Sequence, residues 1–144
     1  MTDRELFFRS VLFVCTRNAV RSPMAEALVN KIAPTGEVRV MSAGLEAAPL
    51  DLFAVEVMKE IGIDLSSHQP TSLLDALLSG KFDLIVTLSD EAAAKVLPRE
   101  GQRVANWSVP DPSKCEGSRE QALSAYREVR DTLKHRVETL FEGL

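Results

Sequence analysis

The sequence predicts an α/β fold, a three-layer α/β/α arrangement with helices on both faces of a parallel sheet. Two observations carry that expectation. Short apolar, β-rich runs alternate with helical patterns along the whole length, which is the pattern of strand–helix–strand units. The first run, Val11-Leu12-Phe13-Val14, is apolar at every position, as a strand covered on both faces must be.

The elements follow in order. After the strand over residues 11–14, Ser22 reads as an N-cap with Pro23 at the first helical position, and Met24, Ala27, Leu28 and Ile32 share one face. Val38-Arg39-Val40-Met41 is a second strand. Asp51 caps a second helix with the stripe Leu52, Val55, Met58 and Ile61, closed by Gly62. A short helix over residues 71–79 ends at Gly80, and Leu84-Ile85-Val86-Thr87-Leu88 is the third strand. Ser89 or Asp90 opens a helix that stops before Pro98, and Arg103-Val104-Ala105 is a fourth strand. In the last helix Ser118 and Gln121 form a capping box, and Ala122, Tyr126, Val129, Leu133, Val137 and Leu140 recur at spacings of three and four.

Composition removes several function classes. The chain has 144 residues, 45% apolar and 26% charged, which is ordinary globular composition. No repeat, flexible linker or shift of composition divides it, so residues 1–144 read as one domain. Seventeen Lys and Arg against twenty-one Asp and Glu leave a formal charge of −4, without the basic footprint of a nucleic-acid binder. The run from Val11 to Cys15 is too short to span a membrane, and Met1-Thr2-Asp3-Arg4-Glu5 does not open like a secretory signal. Two cysteines in unlike surroundings, Cys15 and Cys115, do not make a disulfide framework and fit a reducing cytoplasm.

In parallel sheets ligands sit at the carboxyl ends of the strands, so the turn after the first strand is where chemistry is expected. It reads Cys15-Thr16-Arg17-Asn18-Ala19-Val20-Arg21-Ser22-Pro23. Backbone N–H groups in a tight loop at a helix N-terminus form an anion nest, and the helix dipole adds to it. The same positive potential favours a thiolate at Cys15. Arg21 supplies a planar fork for two oxygens of a tetrahedral oxyanion, and Ser22 can donate to the thiolate. Cys15 is thus a nucleophile at the centre of a phosphate-sized cradle whose lining is Thr16, Arg17, Asn18, Ala19, Val20 and Ser22.

Residues 15–23 resemble the phosphate-binding loop of the low-molecular-weight protein tyrosine phosphatase and arsenate reductase superfamily. Ser42-Ala43-Gly44 resembles that family's Ser-Ala-Gly turn, and Gly62-Ile63-Asp64 with His68 resembles the segment whose histidine braces the loop asparagine. Asp111-Pro112 resembles its general-acid pair. The resemblance implies a four-stranded parallel sheet in order 2-1-3-4. It implies Cys15 as nucleophile, Arg21 as oxyanion clamp and Asp111 as general acid, with Ser42 and His68 supporting the loop. It requires no metal and no cofactor. Some reductase-like relatives hold potassium with residues matching Asn18, Glu26, Ser42 and Asp64, each of which also has an ordinary role as cap, turn or surface group.

The chain also departs from the family pattern. Arg17 stands where glycine is usual, so a positive φ there would be strained. Val20 replaces a neighbouring cysteine that can protect the nucleophile. The aromatic residues that sandwich a phosphotyrosine ring are missing: Asp111-Pro112 is followed by Ser113-Lys114, and residues 43–50 contain no Phe, Tyr or Trp. The arsenate reductase branch's internal relay needs two further cysteines, whose places hold Ser89 and Val96. Cys115 reads as a bystander loop cysteine.

Three functions follow. The complete set Cys15, Arg21 and Asp111 favours a cysteine-dependent phosphatase in a bacterial cytoplasm that hydrolyses phosphotyrosine, on a phosphorylated protein, or a small phosphomonoester through a phosphocysteine intermediate. The alternative is an arsenate reductase that completes its cycle with an external low-molecular-weight thiol or a glutaredoxin. The third is an oxyanion-binding regulatory module without turnover.

Overall fold

In the computed structural model, residues 8–33 and 36–142 are described. The amino-terminal stretch that differs from a secretory signal lies outside them. The strands are β1 (Ser10–Cys15), β2 (Arg39–Gly44), β3 (Leu84–Thr87) and β4 (Arg103–Asn106). They pair in parallel, in the order β2-β1-β3-β4. The register sets Cys15 opposite Gly44 and Val14 opposite Thr87, so the ends of three strands meet at one edge.

Alternation along the strands divides the interior in two. Val11, Phe13, Leu84 and Val86 face helices α1 (Arg21–Ile32), α2 (Leu52–Lys59) and α5 (Arg119–Leu140). Leu12, Val14, Ala43 and Ile85 face α3 (Leu73–Ser79) and α4 (Asp90–Lys95). Each central strand is therefore covered on both sides, which is why its sequence is apolar throughout.

Most helix starts obey local chemistry. Asp51 accepts from the Phe53 amide at 2.8 Å, Ser72 from Asp75, Ser89 from Ala92, and the Ser118–Gln121 capping box closes reciprocally. One start differs. Helix α1 begins at Arg21 after Val20, with no side-chain cap, and Ser22 lies inside the first turn. Its hydroxyl is taken by partners across the loop, so tertiary bonding replaces the expected cap.

The face of α2 also differs from the expected stripe. Ala54, Val57 and Met58 are buried, whereas Leu52 is 79% exposed. The phase is set by α5: Phe53 packs edge-on against Tyr126 at 5.4 Å, and the Tyr126 hydroxyl donates to Asp51 at 2.6 Å. Trp107 is a core anchor, 5.8 Å from Phe13 with the Arg136 guanidinium 5.9 Å from its ring.

Glu60, just past α2, accepts from Arg127 Nη2 at 2.9 Å and from Arg130 Nη1 at 2.7 Å, fastening α2 to α5. These hydrogen bonds, Arg127 first, hold the Glu60 carboxyl down to about 2 from an ordinary 4.5. A folded value below the unfolded one contributes stability that is present above the unfolded value and lost as pH falls through the folded one. Thermal midpoints of the wild type should therefore fall between pH 4.5 and about 2, and Glu60→Gln should flatten that part of the acid limb. An unchanged acid limb in the variant would remove Glu60 from the account.

Candidate active site

The site is built where β1 ends and α1 begins. Cys15 closes β1 with only 2% of its surface exposed, and two polar groups bond its sulfur. The Asn18 amide lies 3.3 Å from Sγ and the Ser22 hydroxyl 2.9 Å. These contacts hold the sulfur at the base of the loop, and a cysteine attacks as its thiolate.

Asn18 organises the loop. Among the described residues it is the one non-glycine with positive φ, at 54°, and its side chain is fully buried. Its Nδ2 donates to Ser22 Oγ at 2.8 Å and to Ser42 Oγ at 3.0 Å. Its Oδ1 accepts from the Thr71 amide at 2.8 Å and contacts His68 Nε2 at 3.0 Å. Because the Thr71 amide can only donate, the oxygen assignment is fixed, and the His68 proton sits on Nε2. Burial lowers the His68 pKa, which keeps the ring neutral. Since Asn18 donates to Ser22, the Ser22 proton is free for Cys15 or for the Ala43 carbonyl at 3.2 Å.

The strain expected at Arg17 is absent: the positive φ falls one residue later, on an asparagine. The close approach is borne instead by Gly44, where an added Cβ would lie 2.5 Å from the Arg17 carbonyl carbon and 2.6 Å from the Asn18 nitrogen. Ser42 also donates to Glu26 at 2.5 Å. Burial raises the Glu26 pKa against the lowering by the Ser42 bonds. Glu26, Ser42 and Asp64 line one cavity of about 360 Å³, but Asp64 Oδ1 is engaged by the Ser66 amide and hydroxyl. Among the described residues no group of three or more His, Cys, Asp or Glu could hold a metal ion.

Arg21 is buried to 8% exposure, with Nη1 donating to the Val109 carbonyl at 3.1 Å and Nη2 3.5 Å from Thr16 Oγ1. Thr16 in turn donates to Ser89 at 3.1 Å. Asp111 reaches the site from the loop after β4. Its Oδ1 accepts from the Ser113 amide and hydroxyl, while Oδ2 lies 3.4 Å from Arg17 Nη2 and 4.0 Å from Arg21 Nη2. Burial pushes this carboxyl up, but the Ser113 hydrogen bonds and the Arg21 and Arg17 charges outweigh it and hold it below the ordinary range. Ala19 and Val20 complete a cavity of about 210 Å³ around Cys15, with Ala48, Pro49, Asp51 and Ser113. Among the described residues no aromatic ring lines it. Cys15 and Cys115 are both free, the first buried and the second exposed.

Sequence reasoning did not foresee Thr71, whose contribution is a main-chain amide that leaves no trace in residue type. Ser113 had a legible signal, since Asp-Pro-Ser is a turn in which the aspartate accepts from the residue two positions on.

A family profile described as low molecular weight phosphotyrosine protein phosphatase matches residues 10–144. The chain belongs to that family. It is 41% identical to an arsenate reductase of Halalkalibacterium halodurans over 92% of this chain and 94% of the relative. The solved arsenate reductase of Archaeoglobus fulgidus shares 32% identity at TM-score 0.72, covering 91% of this chain and 98% of that one. A low molecular weight protein tyrosine phosphatase from T. tengcongensis shares 30% at TM-score 0.74, covering 94% and 99%. Arsenate reductase and tyrosine phosphatase are both enzymes, so enzyme is the class on which the comparisons agree.

They correct the expected activity. The phosphatase reading rested on the completeness of Cys15, Arg21 and Asp111, but relatives at 35–41% identity over most of the chain carry the name arsenate reductase. The physical reason is that the set does not discriminate: it serves attack on any tetrahedral oxyanion, and the ring stacking that would select phosphotyrosine is missing. Among the described residues no helix is long and apolar enough to cross a membrane.

Asn18→Ala should cost about 1–3 kcal/mol by leaving the Thr71 amide and the Ser22 and Ser42 hydroxyls without their partner. Chemical denaturation would measure it, and a loss below about 0.5 kcal/mol would mean that the loop is held by other contacts.

Proposed function

We propose that the protein is an arsenate reductase that takes its electrons from an external low-molecular-weight thiol or a glutaredoxin rather than from cysteines of its own. The observation that carries this reading is the cavity at Cys15, sized for an oxyanion and without a ring to stack an aryl ester. The similarity to arsenate reductases over more than nine-tenths of the chain supports it. An internal relay lacks its sulfurs: Ser89 caps α4 and Val96 is buried in the smaller core cluster.

In this reading the Cys15 thiolate attacks arsenic while the loop amides and Arg21 hold the remaining oxygens. One oxygen leaves as water with a proton from Asp111. The entering anion competes for Arg17 and Arg21. As they turn to it, Asp111 loses cations that keep it ionised and becomes able to carry that proton. Two thiols then supply two electrons: arsenic passes from the +5 to the +3 state, the thiols leave as a disulfide, and Cys15 is restored.

Arsenite should form from arsenate when glutathione and a glutaredoxin are present. Cys15→Ser should reduce the rate to background, and Asp111→Asn should lower it by about a hundredfold or more. Absence of arsenite with every thiol supplied to the wild type would overturn the reading.

A further inference from the structure

Beside the Cys15 cavity lies a larger one of about 580 Å³. Arg17, Arg21 and Asp111 line both, so the two are contiguous, with the Arg17–Asp111 pair at their boundary. The charges around the larger cavity are of both signs. Its cations are Arg17, Arg21 and Lys114; besides Asp111 its acids are Glu46 and, in the first turn of α4, Asp90 and Glu91. Lys114, Glu46 and Glu91 form no ion pair among the described residues. Asp90 makes only a neutral contact, accepting from the Ser108 hydroxyl at 3.1 Å. A purely anionic ligand would be repelled by the acids and a purely cationic one by the arginines and Lys114. A molecule bearing both signs answers each group.

We infer that this cavity seats the reducing thiol, a zwitterionic, peptide-sized molecule with its carboxylate at Lys114 and its ammonium at Asp90 and Glu91. The inference rests on the reductase reading and names the co-substrate of that site. The volume falls within the range of small-molecule sites. A thiol held there faces the arsenic across Asp111, which has just given up its proton. The thiol proton passes to Asp111, the sulfur bonds to arsenic, and the bond from arsenic to Cys15 breaks with its electron pair on Cys15. A second thiol attacks the first thiol's sulfur, and the pair of that sulfur–arsenic bond stays on arsenic. Arsenate and two thiols thereby give arsenite, one disulfide and water.

The test uses the full chain and compares glutathione, which carries both charges, with uncharged 2-mercaptoethanol as reductant. Lys114→Gln should raise the glutathione KM about three- to fivefold, and the pair Asp90→Asn with Glu91→Gln should raise it up to about tenfold, as exposed ion pairs allow. The arsenate KM and the rate with 2-mercaptoethanol should not move, which also reports an intact fold. S-methylglutathione, which cannot react, should compete with glutathione and not with arsenate. Unchanged glutathione KM values, or equal kcat/KM for the two thiols in the wild type, would overturn the seat while leaving the reductase standing. No arsenite from either thiol would overturn the seat, and no arsenite after a glutaredoxin is added as well would overturn the reductase reading with it.

Discussion

The buried carboxamide of Asn18 is the contact on which the site depends. A non-glycine residue in the left-handed region costs about 1 kcal/mol, and asparagine is among the residues that tolerate it best. Four hydrogen bonds offset that cost, and they come from four different segments: α1, the end of β2, the His68 turn and the Thr71 amide that precedes α3. With the side chain held, the Asn18 amide is turned onto Cys15 Sγ and the Ser22 hydroxyl is drawn to the same sulfur. The requirement spreads to β2. The loop runs so close to its end that only a residue without Cβ fits, and that residue is Gly44.

The fold was legible because its signals are repeated many times. Period-3.6 stripes, capping residues and fully apolar strands each report the same alternation, and tertiary structure has no reason to override them. What the residue string hides is any decision taken between distant segments. Ser22 reads as a cap because Ser before Pro usually is one, but its hydroxyl is taken by Asn18, Cys15 and the Ala43 carbonyl. Leu52 joins the expected stripe by spacing, but Asp51 and Phe53 are both claimed by Tyr126, and that rotates α2 until Leu52 faces outward. The positive φ that would have been strained at Arg17 sits at Asn18 for the same kind of reason, since four partners hold the Asn18 side chain.

The activity was harder to read than the site, and the cause is chemical. Hydrolysis of a phosphoester and reduction of arsenate begin alike, with a thiolate attacking a tetrahedral centre whose oxygens are clamped by amides and a guanidinium. A complete first half therefore carries no preference. The two diverge when a second nucleophile arrives, water in one case and a thiol in the other. On the proposed seat of the thiol, the residues that receive it line the neighbouring cavity, in the loop after β4 and the first turn of α4. Attention to the Cys15 loop alone weighs the half that both chemistries share.

Arg17 connects the two halves. In the resting site the cations beside Asp111 and the Ser113 hydrogen bonds keep it ionised although burial opposes this, so it has no proton to give. An arriving oxyanion offers those same cations a stronger partner than a single carboxylate, and as they turn away the balance at Asp111 shifts toward protonation. Glycine at position 17 would leave Arg21 alone to do this, and Arg21 is already bonded to the Val109 carbonyl at 3.1 Å and lies 4.0 Å from Asp111. In the proposed reaction an arginine there, 47% exposed and 3.4 Å from the carboxylate, makes binding of the anion and readiness of the acid one event.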